Sequence, residues 1–128
     1  MSWKPAGYTS VAPYLVVKDA HRLIAFLEQV FDAVETRKYL RDDGSVHHAE
    51  VRIDDTIVML GESPSGEAST VILHVYVPDA MATWQRAIDA GAKPGREPVT
   101  RDNDPDRRGE FYDPAGNMWA VGTQVRAE

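Results

Sequence analysis

Two segments of this chain carry ionisable side chains that could exchange a proton with a small molecule. Glu50 lies in an alternating polar and apolar stretch, and His74 lies in a second one. An unperturbed imidazole titrates near neutral pH, and a partly desolvated carboxylate can act as a base in the same range. We therefore predict His74, on a central strand, and Glu50 as candidate catalytic residues. The alternative for His74 is a structural hydrogen bond to a neighbouring strand.

Strand parity places these two residues on a face of mixed composition. Successive side chains of a strand point to opposite faces, so each strand divides into two sets of residues. An apolar surface with a few polar and aromatic groups is typical of a small-molecule pocket. We predict that the ligand-binding residues are Tyr14, His48, Glu50, Ile72, His74, Tyr76, Arg107, Glu110, Tyr112 and Met118.

Two structural alternatives remain for this face. The strands could be two-sided, with Tyr14, Ile72 and Tyr76 in a dimer contact. Glu50 and Glu110 could equally lie at a solvated rim, in ion pairs with Arg52 or Arg107.

Composition excludes several classes of protein. The chain has 128 residues, no cysteine and a formal net charge of −6. The missing cysteine excludes thiol nucleophiles, disulfides and iron–sulfur clusters, and the negative charge argues against a nucleic-acid partner. No stretch reaches the roughly 18 apolar residues of a membrane span. We predict a single cytoplasmic domain that uses no cofactor and no membrane partner.

The order of the predicted elements repeats at an offset of 60 residues. A strand at 11–17 leads into a helix at 20–31, and a strand at 71–77 leads into a helix at 80–90, each with an aspartate as N-cap. Three more strands follow each helix, at 34–40, 46–53 and 56–62 and then at 97–101, 107–113 and 117–124. We predict an α+β fold of two βαβββ modules, at about 8–62 and 70–125, joined by a linker at 63–69.

The same parity predicts a helix-packed core on the other face of each sheet. It assigns Val11, Met59 and Trp119 to this core, whereas Leu60 and Ala120 are assigned to the opposite face with the candidate site residues. Short modules of this kind also expose sheet edges, which predicts a homodimer.

The chain resembles the vicinal oxygen chelate superfamily, which includes glyoxalases, bleomycin resistance proteins and extradiol dioxygenases. The most specific match is Asp106-Arg107-Arg108-Gly109 followed by Asp113-Pro114-Ala115-Gly116-Asn117-Met118-Trp119. The resemblance covers nearly the whole chain and is strongest to the PhnB-like branch. It implies that residues 1–128 form one domain whose two βαβββ modules curve as a mixed sheet around a cavity, usually in a homodimer.

The resemblance also implies where a metal would bind. The family's ligand positions fall on Ala12, Leu60, Ile72 and Ala120, none of which can donate a lone pair to a divalent cation. We therefore predict a metal-free protein that sequesters an aromatic or amphipathic compound such as an antibiotic. The alternatives are a lyase, isomerase or dioxygenase, with a displaced metal or with acid–base chemistry on His74 and Glu50, and a dimeric interaction module with a vestigial cavity.

Overall fold

The computed structural model, which describes residues 1–127, contains the same order of elements twice. The first copy holds β1 (Tyr14–Val16), α1 (Ala20–Phe31), β2 (Val34–Leu40), β3 (Val46–Ile53) and β4 (Thr56–Gly61). The second holds β5 (Ile72–Tyr76), α2 (Ala80–Asp89), β6 (Lys93–Pro94), β7 (Asp106–Tyr112) and β8 (Met118–Gln124). The predicted α+β class and βαβββ order are confirmed. Each copy is a unit of its own, with the boundary between Ser69 and Thr70.

Each unit is a four-stranded mixed sheet with one helix packed on it. The strand orders are β1-β4-β3-β2 and β5-β8-β7-β6, and the first strand of each unit runs parallel to the last. Helix α1 packs on β3 and β2, and α2 packs on β7 and β8. Strand β5 is therefore an edge strand within its sheet, and the prediction that His74 lies on a central strand is wrong.

Local chemistry sets the ends of both helices. The side chain of Asp19 accepts a hydrogen bond from the Arg22 amide, and that of Asp79 accepts one from the Ala82 amide, each at 3.1 Å. Gly91 follows α2 with φ of +100°, a left-handed conformation that favours glycine after a helix. Neither helix is long and apolar enough to cross a membrane, within the residues described.

A residue at the end of the last strand of each unit also binds the first amide of its helix. The carboxylate of Glu62 accepts hydrogen bonds from the Ala20 and Val46 amides, both at 2.8 Å. In the second unit the hydroxyl of Thr123 accepts from the Ala80 amide at 2.8 Å. These contacts tie β4 and β8 to the helix N-termini, a role that the sequence analysis missed.

The turn between β7 and β8 is built around one buried carboxylate. Asp113 accepts hydrogen bonds from the amides of Ala115 and Asn117, from the Asn117 side chain and from the indole of Trp119. The Asn117 side chain in turn accepts from the Val71 amide at 3.0 Å. The Asp-Pro-Ala-Gly-Asn motif is therefore a structural turn that connects β5, β7 and β8.

Two predicted strands differ from the structure. Strand β1 begins only at Tyr14, and Val11 is 85 % exposed, so Val11 is not a core residue. Strand β6 lies at Lys93–Pro94, before the predicted 97–101; Gly95 and Arg96 still exchange backbone hydrogen bonds with Glu110, and a further bridge joins Val99 to Arg108. Pro98 has no amide to donate and interrupts the ladder between them. Gly109 lies opposite this interruption, where an added Cβ would lie 2.6 Å from the Arg96 carbonyl oxygen.

The pairing of β4 reverses its predicted parity. Met59 pairs with Tyr14 and Glu50, whereas Leu60 pairs with Leu15 and Ala49 and is fully buried. The prediction that Met59 faces the core and Leu60 faces the site is therefore wrong. Four residues separate the paired Arg52 and Ile57 of β3 and β4, whereas five separate the equivalent pair Tyr112 and Met118 of β7 and β8. The offset between the units is consequently 61 residues in their last strands, and the equivalent of Ala120 is Met59.

Candidate functional site

The first unit contains a chain of hydrogen bonds that runs from an exposed tyrosine to a buried carboxylate. The Tyr14 hydroxyl lies 3.2 Å from His48 Nδ1, and His48 Nε2 lies 2.7 Å from Glu50 Oε2. The pairing of β1, β4 and β3 aligns Tyr14, Met59 and Glu50 on one face of the sheet. The structure thus brings together three of the predicted ligand-binding residues: Tyr14, His48 and Glu50.

The partners of His48 determine where its proton lies. An ionised carboxylate only accepts hydrogen bonds, so His48 Nε2 carries a proton and donates it to Glu50. In the neutral ring Nδ1 is then an acceptor, and the Tyr14 hydroxyl donates to it. This arrangement resembles the general pattern in which a carboxylate orients an imidazole that faces a third group.

Glu50 is the buried end of this chain. Glu50 is only 4 % exposed, although strand β3 also carries exposed polar residues. Burial, the largest single influence, raises its pKa, but hydrogen bonds from Tyr8 and His48 and the charges of His48 and Arg37 outweigh it and lower the pKa overall. The carboxylate is therefore held in its ionised form, as the proton assignment for His48 requires.

Tyr8 and Arg37 complete the surroundings of Glu50, and the sequence analysis named neither. The Tyr8 hydroxyl donates to Glu50 Oε1, and this hydrogen bond raises the pKa of Tyr8. Arg37 Nε lies 4.0 Å from the same oxygen, on the strand position that pairs with Glu50. The predicted ion-pair alternative for Glu50 named Arg52 instead. Tyr8 lies 42 residues away in sequence, and no pattern in the sequence signals its contact.

An open pocket of about 490 Å³ borders the exposed end of the hydrogen-bond chain. Tyr14, Val16 and Gly61 of strands β1 and β4 line the pocket together with residues 67–69 of the predicted linker. Its complete lining is Tyr14, Val16, Arg41, His47, Gly61, Glu62, Ser63, Glu67, Ala68 and Ser69. Tyr14 is the residue common to the pocket and the hydrogen-bond chain.

The second unit presents its own face of predicted site residues. Strand pairing aligns Ile72, His74 and Tyr76 of β5 with Met118 of β8 and with Glu110 and Tyr112 of β7. His74 and Tyr76 contact edge to face, with ring centroids 4.7 Å apart. Gly122 leaves room for both rings, because an added Cβ would lie 3.2 Å from His74 Nε2.

The register of β7 corrects the arginine assigned to this face. Arg107 pairs with Thr123 and lies on the opposite face, whereas Arg108 pairs with Gly122 beside Tyr76. The Tyr76 hydroxyl donates to the buried Asp106 at 2.6 Å, and Arg108 lies 3.2 Å from the same carboxylate oxygen. Asp106 was missed because it precedes the strand predicted at 107–113.

Glu110 is engaged by an arginine other than the one predicted. Arg96 Nε donates to Glu110 Oε1 at 2.8 Å, so Arg96 replaces Arg107 in the ion-pair alternative. This hydrogen bond is the main reason that the pKa of Glu110 lies below its ordinary value. Glu110 is therefore already paired and is a weaker candidate for a free base.

The residues present do not fit the divalent metal of metal-dependent members of the family that the sequence resembles. With the corrected register of β4, the four positions that the resemblance assigns to metal ligands are Ala12, Met59, Ile72 and Ala120. None of these side chains offers a carboxylate, imidazole or thiolate. Across residues 1–127, no three His, Asp or Glu side chains are grouped closely enough to hold a metal ion. His48 and Glu50 are hydrogen-bonded to each other, which engages the atoms that a displaced site would need.

Comparisons with known proteins agree with this architecture. A model of the Glyoxalase/Bleomycin resistance protein/Dioxygenase superfamily matches residues 7–121. An uncharacterized protein of Mycobacterium bovis is 36 % identical over 132 residues, covering 91 % of this chain and 84 % of the relative. Among solved structures, TioX from Micromonospora sp. ML1 has a TM-score of 0.76 at 20 % identity, covering 91 % of this chain and 99 % of TioX. The fosfomycin resistance protein FosX from Mesorhizobium loti has a TM-score of 0.66 at 24 % identity, covering 91 % and 92 %.

Proposed function

Because this chain belongs to the glyoxalase/bleomycin resistance protein/dioxygenase superfamily, we propose that it binds an aromatic or amphipathic small molecule without a metal. The observation that carries this proposal is the pocket beside Tyr14. This pocket adjoins the hydrogen-bonded side chains of Tyr14, His48 and Glu50. The volume of about 490 Å³ falls within the range of sites for drug-sized ligands, roughly 300–1,000 Å³. The membership in the PhnB-like branch stays a prediction.

The Tyr14 ring, which lines the pocket, supports an aromatic ligand. Tyr14 and His48 have centroids 5.5 Å apart, and Tyr39 is stacked on the same imidazole at 6.3 Å. Such rings supply rigid apolar area with polar edges for orientation. One structural relative is named a fosfomycin resistance protein, which supports an antibiotic as one class of ligand to be tested.

The first test is truncation of the tyrosine that lines the pocket. Tyr14 is 47 % exposed, so Tyr14→Ala should lower the free energy of unfolding by only about 1 kcal/mol, well below the ~3–5 kcal/mol of a buried aromatic residue. It should weaken an aromatic ligand by roughly tenfold through lost ring contact. Tyr39→Ala is the matched control, since Tyr39 contacts His48 but does not line the pocket.

A ligand screen by native mass spectrometry, followed by calorimetric titration, measures both effects. Binding should persist after chelator treatment, because the proposed ligand contacts require no metal. Loss of all binding after metal removal, with recovery on adding back one divalent ion, would contradict the metal-free part of the proposal.

A second candidate function is acid–base catalysis, as in a lyase or isomerase. The bond between His48 and the buried Glu50 favours it, because this geometry orients an imidazole for proton transfer. The sequence analysis names His74 beside Glu50 for this chemistry, and that pairing stays a prediction. Within the first unit His48 is the imidazole that contacts Glu50.

We also propose that the protein is a homodimer that covers strand β2. All seven residues of β2 are exposed, including the apolar or aromatic Val34, Tyr39 and Leu40 at an edge of the first sheet. Exposed edge strands are ready sites of pairing. Leu40→Lys should therefore shift the protein towards monomer in sedimentation velocity at micromolar concentration, whereas Val11→Lys, outside any strand, should not. A parent protein that sediments as a monomer would refute this proposal.

A further inference from the structure

We propose that Tyr14 exchanges a proton with the ligand, and that this ligand is a weakly acidic hydroxyl compound, a phenol or an enol, bound as its anion. The inference rests on the proposed function, because it requires a small molecule in the pocket beside Tyr14. It adds the chemical class of that molecule and the route by which its proton leaves.

The position of the Tyr14 hydroxyl supports this role. Tyr14 lines the pocket, while its hydroxyl lies 3.2 Å from His48 Nδ1. Gly61 lies beside this hydroxyl, and a Cβ added there would lie 3.1 Å from the Tyr14 oxygen. A phenolic oxygen has one proton to donate and can also accept hydrogen bonds. Tyr14 can therefore contact His48 and a ligand hydroxyl at the same time.

The proton transfer needs no additional reactant. The ligand O–H bond breaks and its proton moves to the Tyr14 oxygen, while the original Tyr14 proton moves to His48 Nδ1. The products are a ligand oxyanion that accepts a hydrogen bond from Tyr14 and an imidazolium that donates to Glu50. Because the Glu50 carboxylate is already ionised, the imidazolium forms beside an opposite charge, which favours the transfer.

The ionisable groups around Tyr14, His48 and Glu50 are compatible with this proton transfer. Glu50 and Tyr39 contact His48, whereas Tyr8 and Arg37 contact Glu50, which receives hydrogen bonds from both His48 and Tyr8. The ionisable groups that line the pocket with Tyr14 are Arg41, His47, Glu62 and Glu67.

Of these lining groups Arg41 favours an anion in the pocket, whereas Glu62 and Glu67 are carboxylates. Arg41 donates to the Ser45 hydroxyl and the Glu62 carbonyl and lies 3.5 Å from His47 Nδ1; these contacts leave further guanidinium donors for a ligand. The Glu62 carboxylate, which would repel an anion, is instead engaged by two backbone amides.

The test uses 4-nitrophenol, whose phenol and phenolate forms absorb at different wavelengths, and 4-nitroanisole, which has the same ring but no acidic proton. With the parent protein, 4-nitrophenol should bind as phenolate at a pH where the free compound is largely protonated. Tyr14→Phe should weaken phenolate binding by about ten- to a hundredfold, the effect of removing a hydrogen bond to a charged group. Binding of 4-nitroanisole should change by less than about threefold.

Two further variants separate proton transfer from simple contact. His48→Gln retains a donor for Glu50 and an acceptor for Tyr14 but cannot hold a proton, so 4-nitrophenol should bind to it in the neutral form. Tyr39→Phe is the matched control, because it keeps the ring against His48, and it should behave as the parent protein. If His48→Gln does not fold, as judged by circular dichroism, the comparison of Tyr14→Phe with Tyr39→Phe decides the question.

The outcomes distinguish this inference from the proposed function. If both compounds bind but 4-nitrophenol stays neutral, or binds as phenolate equally well to Tyr14→Phe, the proton-exchange role is overturned and the pocket stands. If neither compound binds to the parent protein, the aromatic pocket and the inference that rests on it are both overturned.

Discussion

Replacement of Asp113 by alanine should lower the free energy of unfolding by about 3–5 kcal/mol. The buried carboxylate accepts hydrogen bonds from the Asn117 amide, the Asn117 side chain and the Trp119 indole. Removing an acceptor from a buried donor costs about 1–3 kcal/mol for each donor. The loss should appear as a lower urea midpoint with an unchanged slope of the unfolding transition.

The control for this prediction is another turn aspartate. Asp42→Ala removes an exposed carboxylate from the turn between β2 and β3, and a surface change of this kind should stay within about 0.5 kcal/mol. Asp113→Asn should fall between the two, because one oxygen can still accept while the new amide group faces other donors. Equal stability of Asp113→Ala and Asp42→Ala would show that the buried turn does not hold β7 and β8 together.

Truncation of Leu60 should have a comparably large effect, whereas truncation of its neighbour Met59 should not. Leu60 is fully buried and pairs with Leu15 and Ala49 on the helix-facing side of the sheet. Leu60→Ala should therefore lower the free energy of unfolding by about 2–5 kcal/mol, the usual cost of emptying a leucine site in a core. Met59→Ala should cost about 1 kcal/mol or less, because Met59 is only half-buried beside Tyr14 and Glu50.

Thermal and urea unfolding of the two variants, compared with ligand affinity, test the register of β4. Met59→Ala should change neither the stability nor the affinity for an aromatic ligand strongly, since Met59 shares the face of Tyr14 but does not line the pocket. The reverse pattern, with a stable Leu60→Ala and a strongly destabilised Met59→Ala, would mean that the parity read from the sequence is correct and the pairing described here is wrong.

The sequence alone was sufficient for the order of the elements, for both ends of helix α1 and for the start of helix α2. Helix α1 begins and ends where the apolar spacing and the Asp19 cap predict, and strands β2 and β3 have the predicted bounds. These features depend on hydrogen bonds and side-chain periodicities within a few residues, which the sequence displays directly. Local patterns also placed His48 and Glu50 on one face, because the two are separated by one residue of a strand.

The face of β4 was decided by tertiary pairing. A strand with apolar residues on both faces, such as Ile57 to Leu60, has no polar and apolar alternation. Its sequence therefore does not indicate which face packs against the helix. The 60-residue repeat suggested one answer, but a turn longer by one residue in the second unit shifts its last strand by one position. A shift of one residue exchanges every side chain between the two faces, so the assignment of Leu60 required the observed partners in β1 and β3.

The contacts that give the site its chemistry likewise depend on tertiary structure. Tyr8 and Arg37 reach Glu50 only because the chain before β1 and the neighbouring strand β2 are brought to the same carboxylate. Residue types near Glu50 in sequence suggested Arg52, yet strand pairing selects neighbours by register and not by distance along the chain. The sequence therefore determined which side chains could exchange protons, and the pairing of β1, β4, β3 and β2 decided which of them are connected.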